Sequence, residues 1–354
     1  MRLIITGGGT GGHIYPALEV ARLAAEYDAE ILYFGSFRGQ EAKAAKAQKI
    51  PFTAFPSEPL YSLRSYRGLR ALFMLQKSRK LARVALKDAA PDVVFSTGGY
   101  SAGPVVAAAM DLKIPYVIHS SDSIPARSSS MFAKGAAAFT CVFQSTVEYM
   151  PEIPIVRTGQ PIRQELRAAA RVKRDGEPFL LIMGGSQGSQ FLNDIGPRLA
   201  AEDPFETPVL HICGPNNVGV TCDLVDKLHV TNRYHVTPYL ETGKMVDAYL
   251  QASVVVARSG GTLAELALFG IPSVLVPLPK SANNHQLHNA MEFVNMQAAT
   301  MIQQSEANPT NMAEAAAGWL YNQSRREVAK RNLRDWHIPD ATQRIYNLIE
   351  VAAK

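Results

Sequence analysis

Three glycine-rich segments carry the residues whose types and spacing could do chemistry. The first, Gly7-Gly8-Gly9-Thr10-Gly11-Gly12-His13, directly follows the short apolar run Leu3–Thr6. Consecutive glycines let backbone amides approach an anion, and a helix starting there would aim its positive end at the same point. The spacing also satisfies G-x-G-x-x-G, the fingerprint of a dinucleotide site. That site needs an acidic residue about 20 positions further on to hold a ribose. Here the second apolar run ends Tyr33-Phe34-Gly35-Ser36, without a carboxylate, so a nicotinamide cofactor is not expected. His13 stands in the first helical turn, where the positive end favours an uncharged imidazole able to accept a proton. It is a candidate general base; a capping or packing role is the competing reading.

The second segment, Gly184-Gly185-Ser186-Gln187-Gly188-Ser189, has the same strand–turn–helix context, and its amides and the Ser186 hydroxyl could hold a phosphate. The third is Arg258-Ser259-Gly260-Gly261-Thr262-Leu263-Ala264-Glu265, followed by a further strand pattern and Asn283-Asn284-His285-Gln286. Thr262 and Glu265 fit a helix cap with an acid in its first turn. The same carboxylate could accept both hydroxyls of a ribose, and Gln286 converges on the same strand ends. His285 and His288 share a helix face without further ligands, so they read as surface or packing residues and no metal is expected.

These segments need strands to carry them. Apolar, β-branched runs occur at Leu3–Thr6, Ile31–Phe34, Val93–Ser96, Tyr116–His119 and Thr140–Phe143, then at Phe179–Met183, Val209–Cys213, Tyr234–Thr237, Val254–Ala257 and Ser273–Val276. Helical patterns lie between them, among them Pro16–Tyr27, Tyr66–Lys87, Phe191–Ala200, Thr262–Phe269, Asn283–Met296 and Met312–Tyr321. Alternation of this kind predicts an α/β protein with doubly wound parallel sheets. The charged, strand-free seam after Gly159 places a linker at 163–177. Two Rossmann-like domains, 1–162 and 178–338, would face a cleft, with ligands beyond the carboxyl ends of the strands. Residues 339–354 form a last helix that could pack back on the first domain.

The 354 residues have a formal net charge of +5, and 47% are hydrophobic, a globular composition. The charge is uneven: residues 1–163 hold 19 Lys/Arg against 12 Asp/Glu, whereas 164–354 hold 17 against 19. Most of the excess lies in residues 59–87, which carry eight basic residues and no acid. Within it Leu60, Leu63, Leu69, Leu72 and Phe73 interleave with Arg64, Arg67 and Arg70, a pattern suited to an anionic membrane surface. A solvated helix face and a nucleic-acid patch are the alternatives; the stretch lacks a nucleic-acid-reading signature, so nucleic acid is not expected as a partner. Three cysteines without metal spacing suit a reducing compartment. Neither a signal peptide nor an apolar run of about 18 residues is evident, so a soluble, cytoplasmic chain is expected.

Taken together, Gly-Gly-Thr-Gly-Gly-His (8–13), Pro-Asp-Val-Val and Gly-Gly-Tyr (91–100), Gly-Gly-Ser-Gln-Gly (184–188), Arg-Ser-Gly-Gly-Thr-Leu-Ala-Glu (258–265) and Asn-Asn-His-Gln (283–286) resemble one family, collinearly over the chain. It is the MurG family of peptidoglycan glycosyltransferases, in glycosyltransferase family 28. The resemblance implies a GT-B fold and inverting transfer of GlcNAc from UDP-GlcNAc to the C4 hydroxyl of the muramyl sugar of lipid I, giving lipid II. It implies no required cofactor, leaves a divalent ion open, and implies a peripheral position on the anionic cytoplasmic face of the cell membrane. By the same resemblance Ser186 sits at the diphosphate, Leu240 at the uracil, and Gly261, Thr262, Leu263 and Ala264 flank nucleotide and phosphates. Glu265 holds the ribose, and Gln286 and Arg163 contact the donor. Thr10, Gly11 and Gly12 reach the transferred sugar, while His13 and Tyr100 line the acceptor side.

One motif departs from the family. Its usual His-Glu-x-Asn reads His119-Ser120-Ser121-Asp122, and a later asparagine is Ser129. Asp122 would take the donor-binding place of the asparagine and is a second candidate base, but an ionised carboxylate only accepts hydrogen bonds. Another GT-B enzyme on a UDP-sugar (a glycolipid-forming transferase or a nucleotide-sugar epimerase) and a non-enzymatic nucleotide-sugar binder are therefore further readings.

Overall fold

A computed structural model describes residues 1–37, 40–58, 66–170, 179–203 and 207–354; side chains at 66–69, 71 and 72 are outside that description. The chain divides into two compact units, Met1–Arg163 with Asp340–Lys354, and Gln164–Pro339. Among the described residues, the first unit contains β1 (Arg2–Thr6), β2 (Glu30–Ser36), β3 (Phe52–Phe55), β4 (Val93–Ser96), β5 (Tyr116–Ser120), β6 (Ala138–Cys141) and β7 (Ile155–Arg157). They form one parallel sheet in the order β3-β2-β1-β4-β5-β6-β7. The second unit contains β8 (Leu180–Met183), β9 (Val209–Ile212), β10 (Tyr234–Thr237), β11 (Val254–Ala257), β12 (Ser273–Leu275) and β13 (Ala299–Met301). Its parallel order is β10-β9-β8-β11-β12-β13.

Side chains alternate across each strand, so both faces of these sheets must be covered. In the first unit Leu3, Ile5 and Phe95 face the Gly11–Glu26 helix, where Ile14, Ala17, Leu18 and Ala21 are buried. Ile345, Tyr346 and Ile349, from the final helix Ala341–Ala352, complete the same core. Tyr346 stacks on Tyr27 with ring centroids 4.8 Å apart. On the opposite face Ile4, Phe34 and Val94 meet Ala82 and Leu86 of the Tyr66–Ala89 helix and Val105 and Ala109 of the Ala102–Asp111 helix.

Several boundaries differ from the sequence expectation for local reasons. The sheet pairing of β6 ends at Cys141, opposite Ser120, because Phe143 already caps the Gln144–Tyr149 helix. The first helix begins at Gly11 rather than Pro16, since its glycine start gives no apolar signal. A run of helix, Gln164–Ala169, occupies the start of the expected linker. The strands β3, β7 and β13, absent from the sequence expectation, lie at sheet edges, span three or four residues and are only partly buried.

Candidate functional site

Both sheets reverse their winding direction at one strand pair, β1/β4 in the first unit and β8/β11 in the second. Loops leaving such a pair diverge and leave a crevice beyond the carboxyl ends. Each of the glycine-rich segments that leave β1, β8 and β11 lies at one of these two points.

In the first unit the loops after β1 and β4 are locked together. The Gly8 amide donates to the Gly98 carbonyl (3.3 Å), and the Thr97 hydroxyl donates to the His13 carbonyl (2.7 Å). Gly99 adopts φ +86° with its Cα against the Gly8 carbonyl, a place where a Cβ would collide with backbone. His13 Nδ1 lies 3.1 Å from the Gly8 carbonyl oxygen. A carbonyl only accepts, so Nδ1 carries the proton, and the lone pair of a neutral His13 ring is on Nε2. Thr10 precedes the helix; its carbonyl accepts from the His13 amide (3.1 Å), and its side chain makes no cap.

The departing motif joins the same loop. Pro16 has no N–H to give the Gly12 carbonyl four residues earlier. The Ser121 hydroxyl donates to that carbonyl instead (3.2 Å). The Ser120 hydroxyl donates to the Asp122 carbonyl (2.9 Å), closing a tight turn that leaves the Asp122 side chain half-buried. Ser128 donates to the Gly99 carbonyl (3.3 Å), and Ser129 is buried against Gly98. His119, by contrast, is structural: it is fully buried between Thr140 and Gln160 (2.9 and 3.2 Å), and burial pulls its pKa down to about 4. Arg163 lies over the Tyr15 ring at 5.2 Å, two residues beyond His13 on the same helix.

Beneath this loop is a group that sequence reasoning missed. Glu41 is fully buried; one carboxylate oxygen accepts the Ser36 amide (3.0 Å), and the other has no hydrogen-bond partner among the described residues. It packs under Gly8 together with Ser101. Tyr33 donates to the Gly7 carbonyl, and burial, reinforced by Glu41, pushes its phenol well above the usual range. In sequence Glu41 looks like the start of an ordinary solvated helix; only the preceding Gly35-Ser36 hints at close approach.

In the second unit the loop after β8 turns through Gly185 (φ +87°) and Gly188 (φ +76°) and ends at Ser189. Ser189 caps the Gln190–Glu202 helix, accepting the Leu192 amide at 3.3 Å. Arg258, the first residue after β11, crosses to it and donates Nε–H to the same hydroxyl oxygen (3.1 Å). The guanidinium also donates to the Val276 and Pro277 carbonyls (3.0 and 3.2 Å) and to Gln304 (2.7 Å). Arg258 is 9% exposed, and burial lowers its pKa to about 10, so it remains charged at neutral pH. These residues line a pocket of about 690 Å³ with Gly184, Gly188, Phe191, Leu278, Pro279 and Gln286. A buried triad supports the loop from behind. Tyr234 donates to His211 Nδ1 (2.8 Å), His211 Nε2 to Asn193 (3.1 Å), and Asn193 to the Cys213 carbonyl (2.9 Å), against which Gly188 packs.

The remaining sequence candidates lie on the same side of this sheet. The Thr262–Phe269 helix is capped by Gly261 without a side-chain bond, so Thr262 and Glu265 form no capping box. Glu265 instead accepts the Tyr249 hydroxyl at 2.7 Å, which orients its carboxylate. Leu263 and Ala264 are buried in that helix. Gln286 accepts the Leu278 amide through its side-chain oxygen (2.9 Å), which fixes the amide so that its NH₂ group is the donor face. Leu240, just beyond β10, is buried, and Ser186 is exposed at the loop tip. His285 Nδ1 donates to the Ala282 carbonyl (2.8 Å). Among the described residues no three His, Cys, Asp or Glu side chains come together as metal ligands.

Matches to known families cover both units. The glycosyltransferase family 28 N-terminal domain matches residues 3–140, and the family's C-terminal domain matches residues 179–345. The chain belongs to glycosyltransferase family 28. A curated family relative from Lactococcus lactis subsp. cremoris (strain MG1363), named UDP-N-acetylglucosamine–N-acetylmuramyl-(pentapeptide) pyrophosphoryl-undecaprenol N-acetylglucosamine transferase, is 34% identical, with 99% of each chain covered. The crystal structure of Acinetobacter baumannii MurG superposes with a TM-score of 0.79 at 28% identity, covering 99% of each chain. A UDP-GlcNAc 2-epimerase from Neisseria meningitidis shares the fold alone, with a TM-score of 0.68 at 13% identity over 99% of this chain and 100% of that one.

The expected membrane-contact residues are only partly visible. Leu60, Leu63 and Arg64 lie outside the described residues, as do the side chains of Arg67, Leu69 and Leu72. Arg70 pairs with Glu58 (3.0 Å), and Phe73 is 69% exposed. Beyond them Leu81 and Val84 are exposed among Lys77, Lys80, Arg83 and Lys87. No described helix is long and apolar enough to cross a membrane.

Proposed function

We propose that this chain is an inverting glycosyltransferase that moves GlcNAc from UDP-GlcNAc to the C4 hydroxyl of the muramyl sugar of a lipid-linked pentapeptide, forming lipid II. The observation that carries the reading is the full-length relationship at 34% identity to an enzyme named for that transfer. The site geometry supports it. The reaction needs a base for the acceptor hydroxyl and compensation for the charge of departing UDP. His13 is the base: its Nδ1 proton is committed to the Gly8 carbonyl, and Nε2 takes the acceptor proton as the hydroxyl oxygen attacks the anomeric carbon. Asp122 is the second candidate for that proton.

In the second unit the Gly184–Ser189 turn receives the diphosphate, with Ser186 at its tip. Gly261, Thr262, Leu263 and Ala264 flank the nucleotide, and Leu240 packs on the uracil. Glu265, oriented by Tyr249, accepts the ribose hydroxyls, and the NH₂ of Gln286 donates to the sugar. Arg163 completes the donor contacts, Thr10, Gly11 and Gly12 contact the transferred sugar, and Tyr100 lines the acceptor side. No cofactor takes part in this scheme. The protein works peripherally on the anionic cytoplasmic face of the membrane, where Phe73 and the cations beside it on the Tyr66–Ala89 helix meet the lipid that carries the acceptor.

By the sequence resemblance, Ser120 and Asp122 stand where an acid and an amide are expected, which favours a second reading with another acceptor on the same UDP-sugar donor. Release of UDP that depends on a lipid I analogue supports the first reading. Release with a different glycolipid only supports the second, and acceptor-independent conversion of UDP-GlcNAc to its 2-epimer overturns both.

A further inference from the structure

A guanidinium carries five N–H donors and a charge that is costly to bury without a counter-charge. Arg258 spends four donors on four neutral oxygens: the Ser189 hydroxyl, the Val276 and Pro277 carbonyls and the Gln304 side chain. Among the described residues none of its partners is a carboxylate, so the positive charge is held in place but not compensated. Asp194, the acid among the residues lining this pocket, is exposed and paired with Arg198 at 3.2 Å.

Ser189 is forced into a matching role. A hydroxyl oxygen accepts two hydrogen bonds, and both places are taken, by the Leu192 amide (3.3 Å) and Arg258 Nε–H (3.1 Å). Its proton must therefore be donated, and no described protein group accepts it. Ser189 and Arg258 both line the pocket of about 690 Å³ at the β8/β11 switch point. A donor whose oxygen already accepts from a cation is polarised towards an anion.

We propose that Ser189 and Arg258 form a coupled anion-holding pair, in which the Ser189 hydroxyl donates to a phosphoryl oxygen of a nucleoside diphosphate while Arg258 supplies the buried counter-charge. This deepens the reading of the second unit as the UDP-sugar site and rests on it. It moves the decisive side chains from the exposed Ser186 to a residue pair joined across the two loops.

Isothermal titration of the full chain with UDP, uridine and inorganic pyrophosphate tests the pair, using wild type, Ser189→Ala, Ser189→Thr and Arg258→Met. Ser189→Ala is expected to weaken UDP by about tenfold or more and Arg258→Met by about a hundredfold, the range for hydrogen bonds to charged groups. Uridine binding stays within about twofold, and Ser189→Thr, which keeps the hydroxyl, stays near wild type. If Arg258 and Ser189 merely brace the loops, uridine and UDP weaken in parallel, and the proposal is overturned. It is also overturned if Ser189→Ala binds UDP as wild type does, or if wild type binds none of the three probes. Wild-type binding of pyrophosphate but not UDP, lost in Arg258→Met, would uphold the anion pair while removing the UDP-sugar reading.

Discussion

At the level of single residues, hydrogen-bond direction assigns chemistry that residue type leaves open. His13 in sequence could be base, cap or packing group; the Gly8 carbonyl on Nδ1 leaves Nε2 as the basic atom. His13→Ala is expected to lower kcat by about 10²- to 10⁴-fold, the usual worth of a general base, with little change in KM for the donor. A near-normal kcat in His13→Ala alongside a collapse in Asp122→Ala would transfer the role to Asp122. Glu265 was visible as an acid near a strand end that could hold a ribose, but its hydrogen-bond partner was not. The cap that its spacing with Thr262 predicts does not form, and Tyr249, sixteen positions earlier, takes the carboxylate instead. Glu41 escaped notice, and Ser189 and Arg258 stood inside quoted motifs without a role, for one physical reason. Their meaning depends on burial and on partners brought together across separate strands, and such contacts leave no local periodicity.

At the level of elements, strands buried on both faces were legible, because a parallel sheet demands continuous apolar runs. The runs at β1, β2, β4, β5, β8, β9, β11 and β12 meet that demand; Phe-Thr-Ala-Phe, Ile-Val-Arg and Ala-Thr-Met at the sheet edges are short and only partly buried. The glycine loops were legible as turns, since φ near +87° at Gly98 and Gly185 leaves few other residues. The Tyr66–Ala89 helix is divided along its length. Ala82 and Leu86 enter the core, while Phe73, Leu81 and Val84 face outward among cations. That face predicts binding to vesicles containing anionic lipid. Phe73→Ser with Lys80→Glu is expected to reduce co-sedimentation severalfold without lowering the melting temperature by more than a few degrees. Equal binding to neutral and anionic vesicles would contradict the assignment.

At the level of the whole molecule, two related sheets place their chemistry at corresponding switch points, and the final helix belongs to the first unit's core rather than to the second unit. Both units also contain a buried, neutral histidine, and this sets a pH dependence. Burial draws His119 down to about 4 and His211 to about 3, whereas an unfolded histidine titrates near 6.5. Between those limits the unfolded chain binds protons that the folded chain refuses, so stability is full above about pH 6.5 and falls as the pH drops towards 4. The slope approaches about 1.4 kcal/mol per pH unit for each histidine. Urea denaturation from pH 7 to pH 5 measures it, and His119→Gln is expected to flatten the slope for the first unit; an unchanged slope would contradict the account. The central claim is sugar transfer. Its most direct measurement is mass-resolved product analysis after incubating the full chain with UDP-GlcNAc and a lipid-linked muramyl-pentapeptide. The account predicts a product heavier than the acceptor by one N-acetylhexosamine residue, β-linked at C4, with UDP released in equal amount. Turnover of UDP-GlcNAc with the lipid acceptor recovered unmodified would contradict it.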